Sequence, residues 1–393
     1  MKNLLRTLTV TLVGLLALTS AACTAHSPTT GTCALDSSTI ASVALVQGNR
    51  AGTLQADSRS LKCYLADPSD RPVHSVVVVS DGSGWPPIWD QRWAPNPDHP
   101  RDERDALIDY VNGLDAALAS PATRPEANTL EAILVAARSI VGDEGRKVLL
   151  VNDNLLQTAG LLPFQEGYLY ADPAEITDAL APTLDAAEAD LTGIEVVLLA
   201  AGTAAGEQQE LDSVLRAQLV RIWSHVLASR GAVVTETRGV QLRAFTAADL
   251  PSVTAVPLRE QEAIHVTSRC TTVLSQNRVG FVPDSTEFLD PSGARATIAS
   301  VAAELASCAG TVSVTGTTAS GGDEPYRARL SEGRAQAVRA ELAAAMGVPE
   351  STIEAVGVGM NSEYYVPDRS PSGELDPIKA QANRLVIIQV TPR

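Results

Sequence analysis

Four consecutive valines, Val76 to Val79, stand between Ser75 and Ser80. β-Branched residues favour strands, and a strand with one wet face would alternate apolar with polar. An unbroken run therefore marks a strand covered on both faces, as in a parallel sheet flanked by helices. Comparable runs recur as "IASVALVQ" (40–47), "RKVLLVND" (146–153), "IEVVLLAA" (194–201) and "AVVTE" (232–236). Helical periodicity fills the intervals near 102–119, 128–141, 173–191 and 207–229. Strands alternating with helices predict a doubly wound parallel α/β sheet over residues 39–249. The Pro- and Trp-rich segment 82–101 reads as a long loop leaving the valine strand, and 250–269, which has no period, reads as a linker.

The rhythm changes at Cys270. A strand through "RVGFVP", a helix at 291–307, a strand at 311–318, a helix at 325–346 and strands at 353–359 and 383–390 give the order β-α-β-α-β-β. This predicts a compact α+β module over 270–393. Two domains suit a chain of 393 residues. The formal net charge of −16 opposes any general attraction to phosphate backbones, so nucleic acid is not an expected partner.

The opening stretch, "MKNLLRTLTVTLVGLLALTSAAC", carries Lys2 and Arg6, an apolar run and then small residues before Cys23. That is an export signal over 1–22, too short for a comfortable membrane span. Its end resembles a bacterial lipoprotein signal, with Ser20 where Leu is usual, which makes Cys23 the candidate lipid-bearing residue; plain secretion is the alternative. Residues 23–38 then form a polar tether. Cys33, Cys63, Cys270 and Cys308 remain, an even number suited to an oxidising compartment. Proximity favours Cys33 with Cys63 and Cys270 with Cys308. None of these spacings fits a zinc site.

The C-terminal segments "FVPDSTEFLDPSGARATIASVAAELA", "VSVTGTTASGG", "RLSEGRAQAVRAELAAAMGV", "IEAVGVGMN" and "NRLVIIQV" follow one another in an order that resembles the OmpA-like peptidoglycan-binding domain. In that family an Asp at a strand end and an Arg on the next helix hold the zwitterionic end of diaminopimelate, the acid accepting from the ammonium and the guanidinium forking onto the carboxylate. The resemblance assigns the Arg to Arg334. Helical spacing from Leu330 and towards Val338 puts Arg334 on the inward stripe, where it needs a partner, either a ligand or an internal salt bridge. The Asp position falls on Ala319, which cannot accept from an ammonium. Asp323 or Glu324 is then a possible stand-in, while Gly321 and Gly322 allow close backbone approach before a helix N-terminus. Asn383 and Arg384 match the family's Asn-Arg before its last strand.

"VVVVSDGSGW" places Asp81, Ser83 and Trp85 where ligands bind open α/β sheets, at the carboxyl edge. The pattern resembles the metal-ion-dependent adhesion site of von Willebrand factor A domains, which implies Asp81, Ser83, Thr129 and Asp153 as oxygen ligands for Mg²⁺. Trp85 replaces the second Ser of that motif. No Gly-x-Ser-x-Gly elbow is present, and the five histidines show no metal or triad spacing. The expectation is a non-catalytic, lipid-anchored envelope protein that docks on or near peptidoglycan and presents an α/β domain to a protein partner. The alternative is an envelope scaffold whose OmpA-like domain has lost its ligand.

Overall fold

The computed structural model describes residues 39–56, 61, 71–81, 86–96, 98, 100–237, 241–258, 265–268 and 270–392. The export signal, the tether, Cys23, Cys33, Cys63, Ser83 and Trp85 lie outside the described residues.

The first sheet is built around β1 (Ile40–Gln47), which pairs in parallel with β3 (Val73–Val79) on one side and β5 (Arg146–Asn152) on the other. A short strand, β2 (Leu54–Ala56), leaves this layer, and β4 (Trp89–Trp93) returns to it. Helix α1 (Pro100–Leu118) and helix α2 (Thr129–Ile140) precede β5. Next come α3 (Pro173–Ala186), β6 (Ile194–Leu198), α4 (Ser213–Ala228), β7 (Val233–Glu236) and β8 (Leu242–Ala244).

The six-stranded order is β4-β3-β1-β5-β6-β7, with a parallel core and one antiparallel edge strand, β4. The valine run is buried on both faces, as its composition demands: α1 covers one side and α2, α3 and α4 the other. Because the chain runs from β1 to β3 on one flank and crosses to β5 on the other, the carboxyl ends of these three strands share a switch-point crevice.

β4 corrects the expectation of an irregular loop at 82–101. Trp89 and Trp93, four residues apart on one side of the strand, both pack on Tyr110 of α1, at 5.5 and 5.7 Å between ring centroids. The Trp89 indole N–H also donates to Ser75 at 2.7 Å. Aromatic anchoring thus overrides the prolines on either side. Two helices are also shorter than their periodicity. α4 starts only after Asp212, whose carboxylate caps the amides of Val214 and Leu215. The segment 250–258 is not a free linker, since Val256 is buried in the first core and its amide donates to Gln208.

The second sheet has the order β12-β11-β13-β10-β9. Its elements are β9 (His265–Ser268), β10 (Thr271–Ser275), α5 (Pro291–Leu305), β11 (Thr311–Gly316), α6 (Glu324–Met346), β12 (Ile353–Gly357), α7 (Pro377–Ala382) and β13 (Leu385–Thr391). Ile298, Val301 and Leu305 of α5 meet Val338 and Leu342 of α6 over Leu274, Val314 and Ile388 of the sheet. The expected order β-α-β-α-β-β lacks β9 and α7. The strand expected through "RVGFVP" is instead a turn, because Arg278 and Val279 bond back to the Ser275 carbonyl. Phe281 then stacks on Phe288 at 5.1 Å. Cys270 and Cys308 form the expected disulfide.

Both sheets belong to one compact unit. α7 of the second sheet's layer packs against α3 and the 168–170 turn of the first. Among the described residues no helix is long and apolar enough to cross a membrane.

Candidate functional site

At the switch-point crevice the chain brings Thr129 to Asp153 and adds Arg50 from the segment after β1. Arg50 Nη1 and Nη2 each donate to one carboxylate oxygen of Asp153, both at 2.7 Å. Neither side chain is more than 1% exposed. The same guanidinium reaches the Ser80 carbonyl and hydroxyl at 3.3 Å and Asn154 Oδ1 at 3.1 Å. Thr129 donates its hydroxyl to Asp153 at 3.2 Å. Gly48 makes room for the pair, since a Cβ there would lie 2.9 Å from Asp153 Cγ. Burial pushes the Asp153 carboxyl up, and the charge and hydrogen bonds of Arg50 outweigh it, so the group ends below its ordinary value. Asp81 lies to one side and accepts from the Thr123 hydroxyl at 3.2 Å.

These residues do not fit Mg²⁺ as they stand. Both oxygens of the one carboxylate at the centre already hold a fixed cation, and the guanidinium also takes the neighbouring hydroxyl. Among the described residues no group of three His, Cys, Asp or Glu side chains is placed to hold a metal.

The second site lies where β11 runs into α6. The loop is pinned from below: Asp368, fully buried, accepts from the Ser320 amide, the Asn383 side-chain amide and the Tyr365 hydroxyl, each at 2.9 Å. Burial raises the Asp368 carboxyl, and these donors outweigh burial and hold it low. Asn383 also exchanges two 2.8 Å bonds with the Val366 backbone. Its amide is thus committed to holding the loop. Gly322 sits at φ 72°, and Asp323 caps α6 by accepting from the Tyr326 amide at 2.8 Å. Glu324 is exposed in the first turn of α6. Ala319 is buried at 4% exposure.

Arg334 lies inside, as its spacing on α6 requires, at 6% exposure. Its guanidinium stacks over Phe281, 5.0 Å from the ring centroid, and its Nε donates to the Ser285 carbonyl at 3.0 Å. Burial first, and then the like charge of Arg384, lowers its pKa to about 10, so it stays cationic at neutral pH. Beside it, Tyr326 donates its hydroxyl to Asp284 Oδ1 at 2.5 Å. Burial and the Asp284 charge raise that phenol to about 12. Asp284 adopts φ 53°, a left-handed conformation that Asp tolerates better than most residues. Arg334 and Arg384 line one shallow hollow together with Phe281, Thr317 and Gln276. Two cations lining one hollow, with the Asp284 carboxylate near enough for its charge to act on Arg334, can grip a group that carries both signs of charge.

Residues 280–373 match the OmpA family. The C-terminal domain is OmpA-like. Among solved structures, the cell wall anchor of the T6SS from Pseudomonas aeruginosa is similar at 24% identity, over 31% of this chain and 81% of that one, with a TM-score of 0.25. The OmpA-like domain of FopA1 from Francisella tularensis is 23% identical over 31% of this chain and 71% of its own, at a TM-score of 0.23. The peptidoglycan-associated lipoprotein from Burkholderia pseudomallei is 23% identical over 32% and 95%, at a TM-score of 0.23. No curated protein matches the chain.

In the OmpA-like domain the sequence led to Arg334 and not to Asp284, Tyr326 or Asp368. Asp284 was hidden because it follows the expected strand through "RVGFVP", where an Asp is ordinary, and only the fold brings its charge within reach of Arg334. Asp368 lies in a Pro/Ser/Gly loop with no period. Arg50 sits in "QGNRAG", where only its three-dimensional neighbours give it meaning.

Proposed function

We propose that the chain is a non-catalytic cell-envelope lipoprotein, anchored through Cys23, whose OmpA-like domain docks on peptidoglycan. Its α/β domain, of von Willebrand A-like type, is presented to a protein partner. The observation that carries wall binding is the buried Arg334 beside Asp284. A buried guanidinium and a carboxylate close enough to act on it suit the carboxylate and ammonium of diaminopimelate, with Asp284 in place of the acid missing at Ala319. The von Willebrand A-like reading draws support from Asp81, Thr129 and Asp153 at the carboxyl edge of a parallel core. In this domain the reading carries no metal, because Arg50 supplies the positive charge.

Retention of the full chain on purified peptidoglycan tests the proposal. Retention that falls with Arg334→Ala and with Asp284→Asn is expected. Equal retention of all three chains would remove this site from wall binding, and no retention of the wild-type chain would leave an envelope scaffold without wall affinity, the reading that Ala319 favours.

A further inference from the structure

The basic end of the OmpA-like site is not open to one side. Helix α3 of the α/β domain enters there with its first turn, and Glu175 Oε1 forms an ion pair with Arg384. The two side chains are 19% and 13% exposed. The same carboxylate lies close to the β11–α6 loop, 3.9 Å from where a Cβ on Gly321 would stand. Asp172, the N-cap of α3, is near enough for its charge to act on Arg334. Next to this contact a small cleft lined by Asp172, Pro173 and Leu289 shares Phe281, the ring beneath Arg334.

The ion pair is one-pronged. Glu175 Oε2 and Arg384 Nη1 are both buried and have no hydrogen-bond partner. A guanidinium and a carboxylate that each use half their capacity out of water forgo much of what a forked pair supplies. An incoming carboxylate that forked onto Arg384 would satisfy the orphaned donor, and Glu175 would regain its hydration.

We propose that Glu175 of the α/β domain is an internal competitor for the OmpA-like site: it occupies Arg384 beside Arg334, so that binding of a peptidoglycan stem carboxylate and docking of α3 exclude one another. The inference rests on the wall-binding reading and adds its regulation. A partner that pulls on the α/β domain would release the site, and a bound stem peptide would free the α/β domain.

The test uses the full chain with purified peptidoglycan and with a soluble stem tripeptide ending in meso-diaminopimelate. Glu175→Gln keeps the side-chain volume and removes the charge. It should raise wall retention about tenfold, as expected when a site that was open a tenth of the time is freed. Adding Arg334→Ala should cancel the gain. In the wild-type chain, the tripeptide should speed amide hydrogen exchange in residues 171–176. Wild-type retention that Glu175→Gln leaves equal or weakens overturns the inference and leaves wall binding standing. So does unchanged exchange under saturating tripeptide. No retention by either chain overturns wall binding and this inference together.

Discussion

Arg50 and Asp153 face each other through two parallel 2.7 Å hydrogen bonds with almost no exposure to water. They join the ends of β1 and β5 through two opposite charges fixed to the chain. Removing one partner of such a pair strands a buried charge, so Arg50→Ala should cost about 3–5 kcal/mol in denaturant unfolding. Replacing both partners together, as in Arg50→Met with Asp153→Leu, should restore much of that. The wild-type melting temperature should not move between chelator and millimolar Mg²⁺. A clear rise with Mg²⁺ would show that the guanidinium is displaceable.

Arg334 should be irreplaceable by another cation. A lysine reaches with a point charge and cannot both stack on Phe281 and fork onto a carboxylate. Arg334→Lys should therefore lose about 10- to 100-fold in peptidoglycan retention, the span of one or two charge-assisted hydrogen bonds. A titration of the variant against purified wall measures it.

The Cys270–Cys308 bridge closes a loop with a sequence separation of 38 residues. Chain-entropy arguments put its worth at about 4 kcal/mol. Reduction, or paired Cys→Ser replacement, should lower the stability of the OmpA-like sheet by about that amount. Denaturant curves followed by hydrogen exchange in 271–275 and 385–391 would reveal it, and a change confined to the α/β sheet would contradict it.

Asp143 gives a pH signature. Burial pushes its carboxyl up, and bonds from Ser42, His74 and Arg92 outweigh that and hold it at about 2, against 3.8 when unperturbed. A depressed carboxyl stabilises the fold above its unfolded pKa, and that stabilisation is lost as pH falls from about 4 through 2. Asp143→Asn should therefore unfold at a similar denaturant concentration to wild type near pH 2 and at a lower one at pH 6. Parallel pH–stability curves for the two chains would contradict the assignment.

The parallel core was legible because runs such as Val76–Val79 leave little choice of environment. Strand β4 was not, since its two tryptophans matter only once Tyr110 stands opposite. Arg334 could be read from helical spacing and resemblance, whereas its neighbours come from three separate loops and from another domain. Glu175 is the extreme case: 209 residues separate it from Arg384. In sequence it is merely an acid in the first turn of a helix, a place where acids are common.

Among the described residues, β10 and β11 are joined by β13, which pairs with both. The central strand of the OmpA-like sheet is thus the last to be synthesised, after α5, α6 and β12. Until β13 is available, β10 and the β11–β12 pair have no common partner. That sheet must close late and all at once, with long-range pairing setting its pace. The α/β half, whose central strand β1 is made first, can instead pair its strands as they emerge.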